Sequence, residues 1–111
     1  MRISARVENA VGRHEAAVKT GENARSLVIP PKASGGGSSV NGGELLFLAL
    51  ATCYCNDVYR EAAKKGIDIS EVVVEVEGEF GAEGEPGRDI SYTARVTWTA
   101  NEETVRELLE A

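Results

Sequence analysis

The sequence predicts an α+β fold in which an antiparallel sheet packs on a long central helix. Three observations support this prediction. The first thirty residues contain short stretches of alternating polar and apolar side chains, and residues 44–65 contain no helix breaker. Residues 72–80 and 90–98 then alternate again, which is typical of strands with one wet face. We therefore expect three strands, a helix, two strands and a last helix, with the five strands in one sheet.

The strands before the helix are short. Residues 3–8 alternate strictly, and residues 14–18 repeat the pattern weakly after Gly12. Turn-forming residues at 20–23 lead to a third strand over residues 27–29, which Pro30 and Pro31 end. The three strands are predicted to pair as a meander.

The long helix has recognisable start and stop signals. The small residues at 33–43 look like a flexible linker when read alone, but they lead directly into the helix. Asn41 and Glu44 have the spacing of a capping box, so the helix should begin near Gly42. Gly66 should end it. The glycine-rich segment lacks the Lys-Ser/Thr ending of a phosphate-binding loop.

The first half of this helix is apolar on every side. Every residue from Leu45 to Ala51 is apolar, and such a helix must be enclosed all round. A sheet covers only one flank. We therefore expect a homodimer in which the same helix of a second copy covers the other flank.

Two strands follow, joined by residues 81–89, and a second helix begins at Asn101 and runs to Ala111. This last helix has no cap, so the sequence leaves its continuation open. We interpret Tyr92 and Trp98 as core aromatics and His14 as a structural residue at an exposed or edge position.

Composition excludes several classes of partner. The 111 residues fit one domain, and the net charge of −6 argues against nucleic acid and anionic membranes. The N-terminus has no secretory pattern and the longest apolar run is too short for a bilayer, so we expect a cytoplasmic protein. With one histidine and two cysteines, a zinc site would need carboxylates or a second subunit, and we predict no metal or cofactor.

Cys53 and Cys55 are the candidate reactive groups. In a reducing compartment they should remain thiols, and in an apolar helix each is either packing material or a nucleophile. On a regular helix they point about 200° apart, so they cannot form a disulfide unless the turn unwinds. Only one of them is expected to be the nucleophile.

A nucleophilic cysteine must be ionised, and a thiol with an unperturbed pKa is only about 3% thiolate at pH 7. Cys53 lies too far from the start of the helix for the dipole to help. A guanidinium at ~4 Å with an effective dielectric near 20 would supply about 4 kcal/mol. The site therefore needs an arginine from elsewhere in the fold.

Three stretches carry a family resemblance: GSSVNGGELLFLALATCY at residues 37–54, KKGIDI at 64–69 and VVVEVEGEF at 72–80. Together they resemble the OsmC/Ohr family of thiol-dependent peroxidases, over essentially the whole of residues 1–111. The resemblance implies a single OsmC-like domain in an intertwined homodimer, with two active sites between the subunits. It places Cys53 at the peroxidatic position, where a thiolate reduces an organic hydroperoxide and an external thiol regenerates the enzyme.

The resemblance also suggests partners for Cys53. The family's arginine comes from the loop after the first strand, where Arg13 is the best match, and the alternative is a solvated loop charge. The family's glutamate falls on Gly43, next to Glu44. The usual resolving Cys-Pro motif of the last helix is not found up to Ala111, whereas Cys55 stands where the family does not normally have cysteine.

Three functions follow from these residues. The first is a thiol peroxidase or related stress-response redox enzyme, with Cys53, Arg13 and Cys55 as its site residues. The second is a non-catalytic module of the same fold that binds a hydrophobic small molecule at the dimer interface. The third is acyl-thiol chemistry, for which His14 is the sole candidate imidazole base.

Overall fold

The structure is a computed structural model that describes residues 1–81 and 86–98. The elements are β1 (Ile3–Ala10), β2 (Arg13–Thr20), β3 (Asn23–Leu27), α1 (Gly42–Lys64), β4 (Ile69–Phe80) and β5 (Gly87–Trp98). All strand pairs are antiparallel, which confirms the predicted α+β class. The helix predicted from Asn101 lies outside the described residues.

The described strands form two sheets, β1-β2-β3 and β4-β5. The prediction of a single five-stranded sheet is therefore wrong for these residues. After β3 the chain enters Pro30 and Pro31, which have no amide hydrogen for a further ladder, and then makes an isolated bridge from Pro31 to Ser38. Met1–Gly42 and Gly43–Ala111 form two compact units, which we describe in turn.

Two tight turns fix the meander of the first unit. Val11 and Gly12 join β1 to β2, and Gly12 has a φ of 79°, which favours glycine. A second two-residue turn pairs Thr20 with Asn23. The third strand therefore starts at Asn23 and ends at Leu27, earlier than the predicted 27–29, and Val28 is 98% exposed.

The register separates a polar face from an apolar face in this sheet. Arg6 and Glu8 lie opposite Ala17 and Glu15, so charged side chains share one face. The other face exposes four large apolar side chains in the single chain: Ile3, Val7, Val18 and Leu27.

The glycine-rich segment is a hydrogen-bonded loop. The Lys32 amide donates to the Gly37 carbonyl at 3.1 Å, and both the amide and the hydroxyl of Ser39 donate to the Pro30 carbonyl. Gly37 also donates its amide to the Asn9 side chain at 2.9 Å. These bonds close the segment on itself and attach it to β1, which the linker-like composition alone did not predict.

In the second unit, α1 has the predicted bounds and a well-defined end. It begins at Gly42 and runs to Lys64. The Ile67 amide donates to the Ala62 carbonyl, the Gly66 amide donates to the Ala63 carbonyl, and Gly66 has a φ of 68°. This is a Schellman motif, which explains why the helix ends where the sequence places its glycine.

The core of this unit lies between the second half of α1 and the β4-β5 sheet. Its buried residues are Val58, Ala62, Ile67 and Val96, and the partly buried residues packed against them are Tyr54, Ile69, Val72 and Trp98. Trp98 is thus confirmed as a core aromatic. Tyr92 is 47% exposed and stacks on Tyr54 with ring centroids 6.0 Å apart, so it covers the edge of the core.

A bulge interrupts the β4-β5 ladder beside the helix. Glu77 pairs with Ser91 and Glu79 with Arg88, so two residues of β5 oppose Gly78, and one of them, Asp89, has a φ of 53°. The second strand of this hairpin starts at Gly87, three residues before the prediction. The Phe47 ring lies directly over Gly78.

Replacing Gly78 by alanine should destabilise the protein. The new Cβ would lie 2.7 Å from Cζ of Phe47, whose ring is packed 5.5 Å from that of Phe80. We expect a loss of about 1–3 kcal/mol in the free energy of unfolding, measured by urea denaturation. The control is Gly42→Ala, where a Cβ meets no atom within 4 Å. Equal effects of the two variants would contradict this packing.

Candidate functional site

Cys53 lies on the side of α1 that faces away from the core. It is five residues from the buried Val58, about 140° around the helix, and its side chain is exposed. Leu46 and Leu48, at the start of the same helix, are 49% and 63% exposed. Cys53 is therefore not packing material in the core of its own chain.

Cys55 has a different environment. It is partly buried, and both cysteines are free thiols. The regular helix keeps their side chains about 200° apart, as the sequence predicted. A bond between the two sulfur atoms is thus incompatible with intact α1.

The helix itself places no surplus positive charge close to Cys53. Asp57 is one turn further along the same face and forms an ion pair with Arg60. Arg60 thus neutralises Asp57 and leaves no surplus cation on this stretch of α1. The Thr52 hydroxyl donates to the Leu48 carbonyl at 2.7 Å, so its hydrogen is already used. A cation that stabilises the Cys53 thiolate would therefore have to come from outside α1.

Arg13 is the first residue of β2, directly after the Val11–Gly12 turn, and so belongs to a strand and not to the predicted loop. Its guanidinium lies 3.4 Å from Glu15 and 4.0 Å from Glu8, and its side chain is 53% exposed. The structure thus groups Arg13 with two carboxylates of its own sheet. Its pairing with Cys53 stays a prediction.

Glu8 and Glu15 were not identified from the sequence. The signal was present, because a two-residue turn at Val11–Gly12 sets Glu8 opposite Glu15 and puts both on the face of Arg13. Exposed ion pairs of this kind contribute only about 0–1 kcal/mol each to stability. Their effect here is to hold the guanidinium over the polar face of the sheet.

A cavity of about 420 Å³ adjoins this group in the first unit. Charged side chains line one part of it, and apolar residues at and just after the end of β3 line the other: Arg6, Glu8, Glu15, Leu27, Val28 and Ile29. His14 also lines it. The wall is thus suited to a molecule with both polar and apolar parts.

The start of α1 has no side chain where the resemblance expects a glutamate. Gly43 is the second residue of the helix. Glu44 follows in the first turn and is exposed, but it is already engaged in an interaction. Glu44 is therefore not a free substitute for that glutamate.

Residues 1–81 and 86–98 contain no group of three or more His, Cys, Asp or Glu side chains placed to hold a metal ion. Within the same ranges, no helix has the length and apolarity needed to cross a membrane.

The family described as OsmC-like protein matches residues 35–111, which is more than half of the chain. The chain belongs to the OsmC-like family. The matched range contains α1 with both cysteines and begins after Arg13. None of the curated proteins matches the chain.

A solved structure supports the OsmC-like fold. The crystal structure of an OsmC like protein from Mycoplasma pneumoniae has a TM-score of 0.60 and 18% sequence identity, and the likeness covers 96% of this chain and 78% of that chain. At this identity the likeness shows the fold. The fold expected from the family resemblance is therefore confirmed.

Proposed function

We propose that this OsmC-like protein is a cytoplasmic thiol-dependent peroxidase that reduces organic hydroperoxides, with Cys53 as its nucleophile. One observation carries the proposal: in an OsmC-like chain, the free thiol of Cys53 is exposed on the face of α1 opposite the core. A residue retained for packing in the core of its own chain would lie on the other face, beside Val58 and Ala62.

The reaction is an oxygen transfer to sulfur. The Cys53 thiolate attacks one oxygen of the hydroperoxide, an S–O bond forms and the O–O bond breaks. The other oxygen leaves with its organic group and takes up a proton to give the alcohol, and the sulfur is oxidised to sulfenic acid. No metal or cofactor is needed for this step.

Regeneration is assigned to an external thiol. Cys55 would have to reach Cys53 through an unwound turn, whereas the exposed Cys53 is open to thiols in solution. The first external thiol condenses with the sulfenic acid and releases water. A second thiol then reduces the mixed disulfide, so that two external thiols end as a disulfide and Cys53 is restored.

Arg13 is proposed as the cation that stabilises the thiolate. Its guanidinium is permanently charged, and Glu8 and Glu15 hold it in a defined orientation. The charges near Cys53 on α1 itself, Asp57 and Arg60, cancel each other. Arg13 is chosen because the family resemblance takes this cation from the region after the first strand.

We further propose a homodimer, supported by the apolar surfaces that a single chain leaves open. Leu46 and Leu48 on α1 expose about half or more of their surface. Exposed apolar patches of this kind usually mark an interaction site. Leu46 lies seven residues before Cys53 and therefore on the same outer side of α1, and the helices of two copies would cover each other along that side.

A second candidate is a non-catalytic module that binds a hydrophobic small molecule at that interface. The same exposed leucines favour it, together with Gly43 in the position of the family's glutamate. In this case Cys53 would line the binding surface without reacting.

Replacing Cys53 by serine should abolish hydroperoxide turnover. Serine has no ionisable thiol at neutral pH, so no sulfenic acid forms. The assay is consumption of tert-butyl hydroperoxide with dithiothreitol as reductant. Cys55→Ser is the matched control and should keep most of the activity. Equal turnover by wild type and Cys53→Ser would refute the peroxidase, and inert thiols in the wild type would favour the binding module.

Replacing Arg13 by glutamine should slow alkylation of Cys53 by iodoacetamide at pH 6. Loss of the proposed Arg13 guanidinium partner would reduce the thiolate fraction of Cys53. We expect an alkylation rate at least about tenfold lower. Arg25→Gln, an exposed arginine of β3, is the control. An unchanged rate in Arg13→Gln would show that the thiolate is stabilised by another group.

Leu46→Glu should convert the dimer to monomers, because it places a charge on the exposed outer side of α1. Sedimentation equilibrium of the purified protein measures this directly. Val28→Glu makes the same change at a residue that is 98% exposed outside the helix, and it should leave the dimer intact. A wild-type protein that sediments as a monomer would contradict the proposed assembly.

A further inference from the structure

The side chain of Asn9 connects three parts of the first unit. Its Oδ1 atom accepts a hydrogen bond from the Gly37 amide at 2.9 Å, and its Nδ2 atom lies 3.0 Å from Nδ1 of His14. We call this pair of bonds the Asn9 bridge. It joins β1, β2 and the glycine-rich loop.

The Gly37 bond fixes the orientation of the Asn9 amide. A backbone amide only donates, so the Asn9 atom facing Gly37 must be the oxygen. The nitrogen of the same amide then points at His14 and donates to Nδ1. This bond requires a neutral His14 with its hydrogen on Nε2.

We propose that the Asn9 bridge is a pH-sensitive tether, which holds the glycine-rich loop to the first hairpin while His14 is neutral and releases it when His14 is protonated. A protonated imidazole carries a hydrogen on Nδ1, which would face the Asn9 NH₂ group. If the Asn9 amide rotates, its oxygen can accept the hydrogen on Nδ1 of protonated His14. Its NH₂ group then faces the Gly37 amide, which is also a donor. Asn9 thus satisfies both neighbours in one protonation state only.

Four other charged side chains surround the Asn9 bridge. Arg13 and Glu15 flank His14 along β2, Glu8 lies opposite Glu15, and the Lys32 side chain lies against Gly37. Arginine, lysine and glutamate ordinarily do not titrate between pH 5.5 and 7.5, whereas histidine does. His14 is also the single histidine of the sequence, so its signal is unambiguous.

The Asn9 bridge holds a residue that is close in sequence to the start of α1. Gly37 precedes Gly42, the first helical residue, by five positions. Release of the bridge leaves the loop held by its own backbone bonds, Lys32 to Gly37 and Ser39 to Pro30, and free of β1. This inference stands on the hydrogen bonds of the first unit and is independent of the proposed peroxidase reaction.

The experiment follows the Gly37 amide and the His14 ring by NMR in the full-length protein. Hydrogen-exchange protection of Gly37, corrected for the intrinsic rate at each pH, should fall about threefold to tenfold between pH 7.5 and 5.5, as loss of one neutral hydrogen bond predicts. The fall should follow the titration of the His14 ring. The control is the Gly21 amide, which donates to Arg2 at the far end of the sheet and should keep its protection.

Two variants separate the tether from general acid destabilisation. In Asn9→Asp the carboxylate accepts from both Gly37 and protonated His14, so Gly37 should stay protected at pH 5.5. Asn23→Asp makes the same change in the turn before β3 and should behave as the wild type. In His14→Gln the pH dependence of Gly37 protection should disappear.

Protection of Gly37 that stays constant while the His14 ring titrates would overturn the proposal. The same holds if Asn9→Asp loses Gly37 protection at pH 5.5 as the wild type does. If Gly21 loses protection in parallel with Gly37, the whole sheet is opening and the specific tether is refuted.

Discussion

The packing of Val58 and Ala62 on Ile67 and Val96 is the interaction on which the second unit depends. It fixes which side of α1 meets the sheet, and therefore which side is left outside. Successive residues of a helix are rotated by about 100°, so the burial of Val58 fixes the direction in which the Cys53 side chain points. The exposure of its thiol is a consequence of the core.

The same constraint explains the contrast between the halves of α1. The second half is amphipathic, with buried Val58 and Ala62 on one side and the Asp57–Arg60 pair on the other. The first half is apolar on the outer side too, as the exposed Leu46 shows. A helix with two apolar sides has to be covered twice. The protein's own sheet supplies one cover, and the proposed second copy supplies the other.

Much of this fold was predictable from the sequence, because its signals are local. Gly66 marked the helix end correctly, since a Schellman motif needs glycine at that position. Alternation located the strands, but it did not show how they group. Whether five strands form one sheet or two depends on backbone bonding after Pro30 and Pro31, which side-chain periodicity does not report. The start of β3 was predicted too late, because the prediction relied on the apolar run Leu27–Ile29. The turn before Asn23 sets the register of β3 and starts the strand earlier.

The candidate site was predictable in part. Cys53 stood out by position, and its exposure agrees with the hypothesis. The carboxylates around Arg13 required the hairpin register, and the contact between Asn9 and Gly37 joins residues 28 positions apart, beyond any local pattern. His14 was interpreted as structural, and its ring lies 3.0 Å from the side chain of Asn9.

The closeness of Phe47 and Gly78 has a consequence for how such sequences diverge. The aromatic ring occupies the space that any larger residue at 78 would need. Substitution at one position therefore depends on the residue at the other. If residue 47 first becomes smaller, a side chain fits at position 78. If residue 78 gains a side chain first, that side chain clashes with the ring of Phe47. Among relatives that keep this bulge, the two positions should vary as a pair.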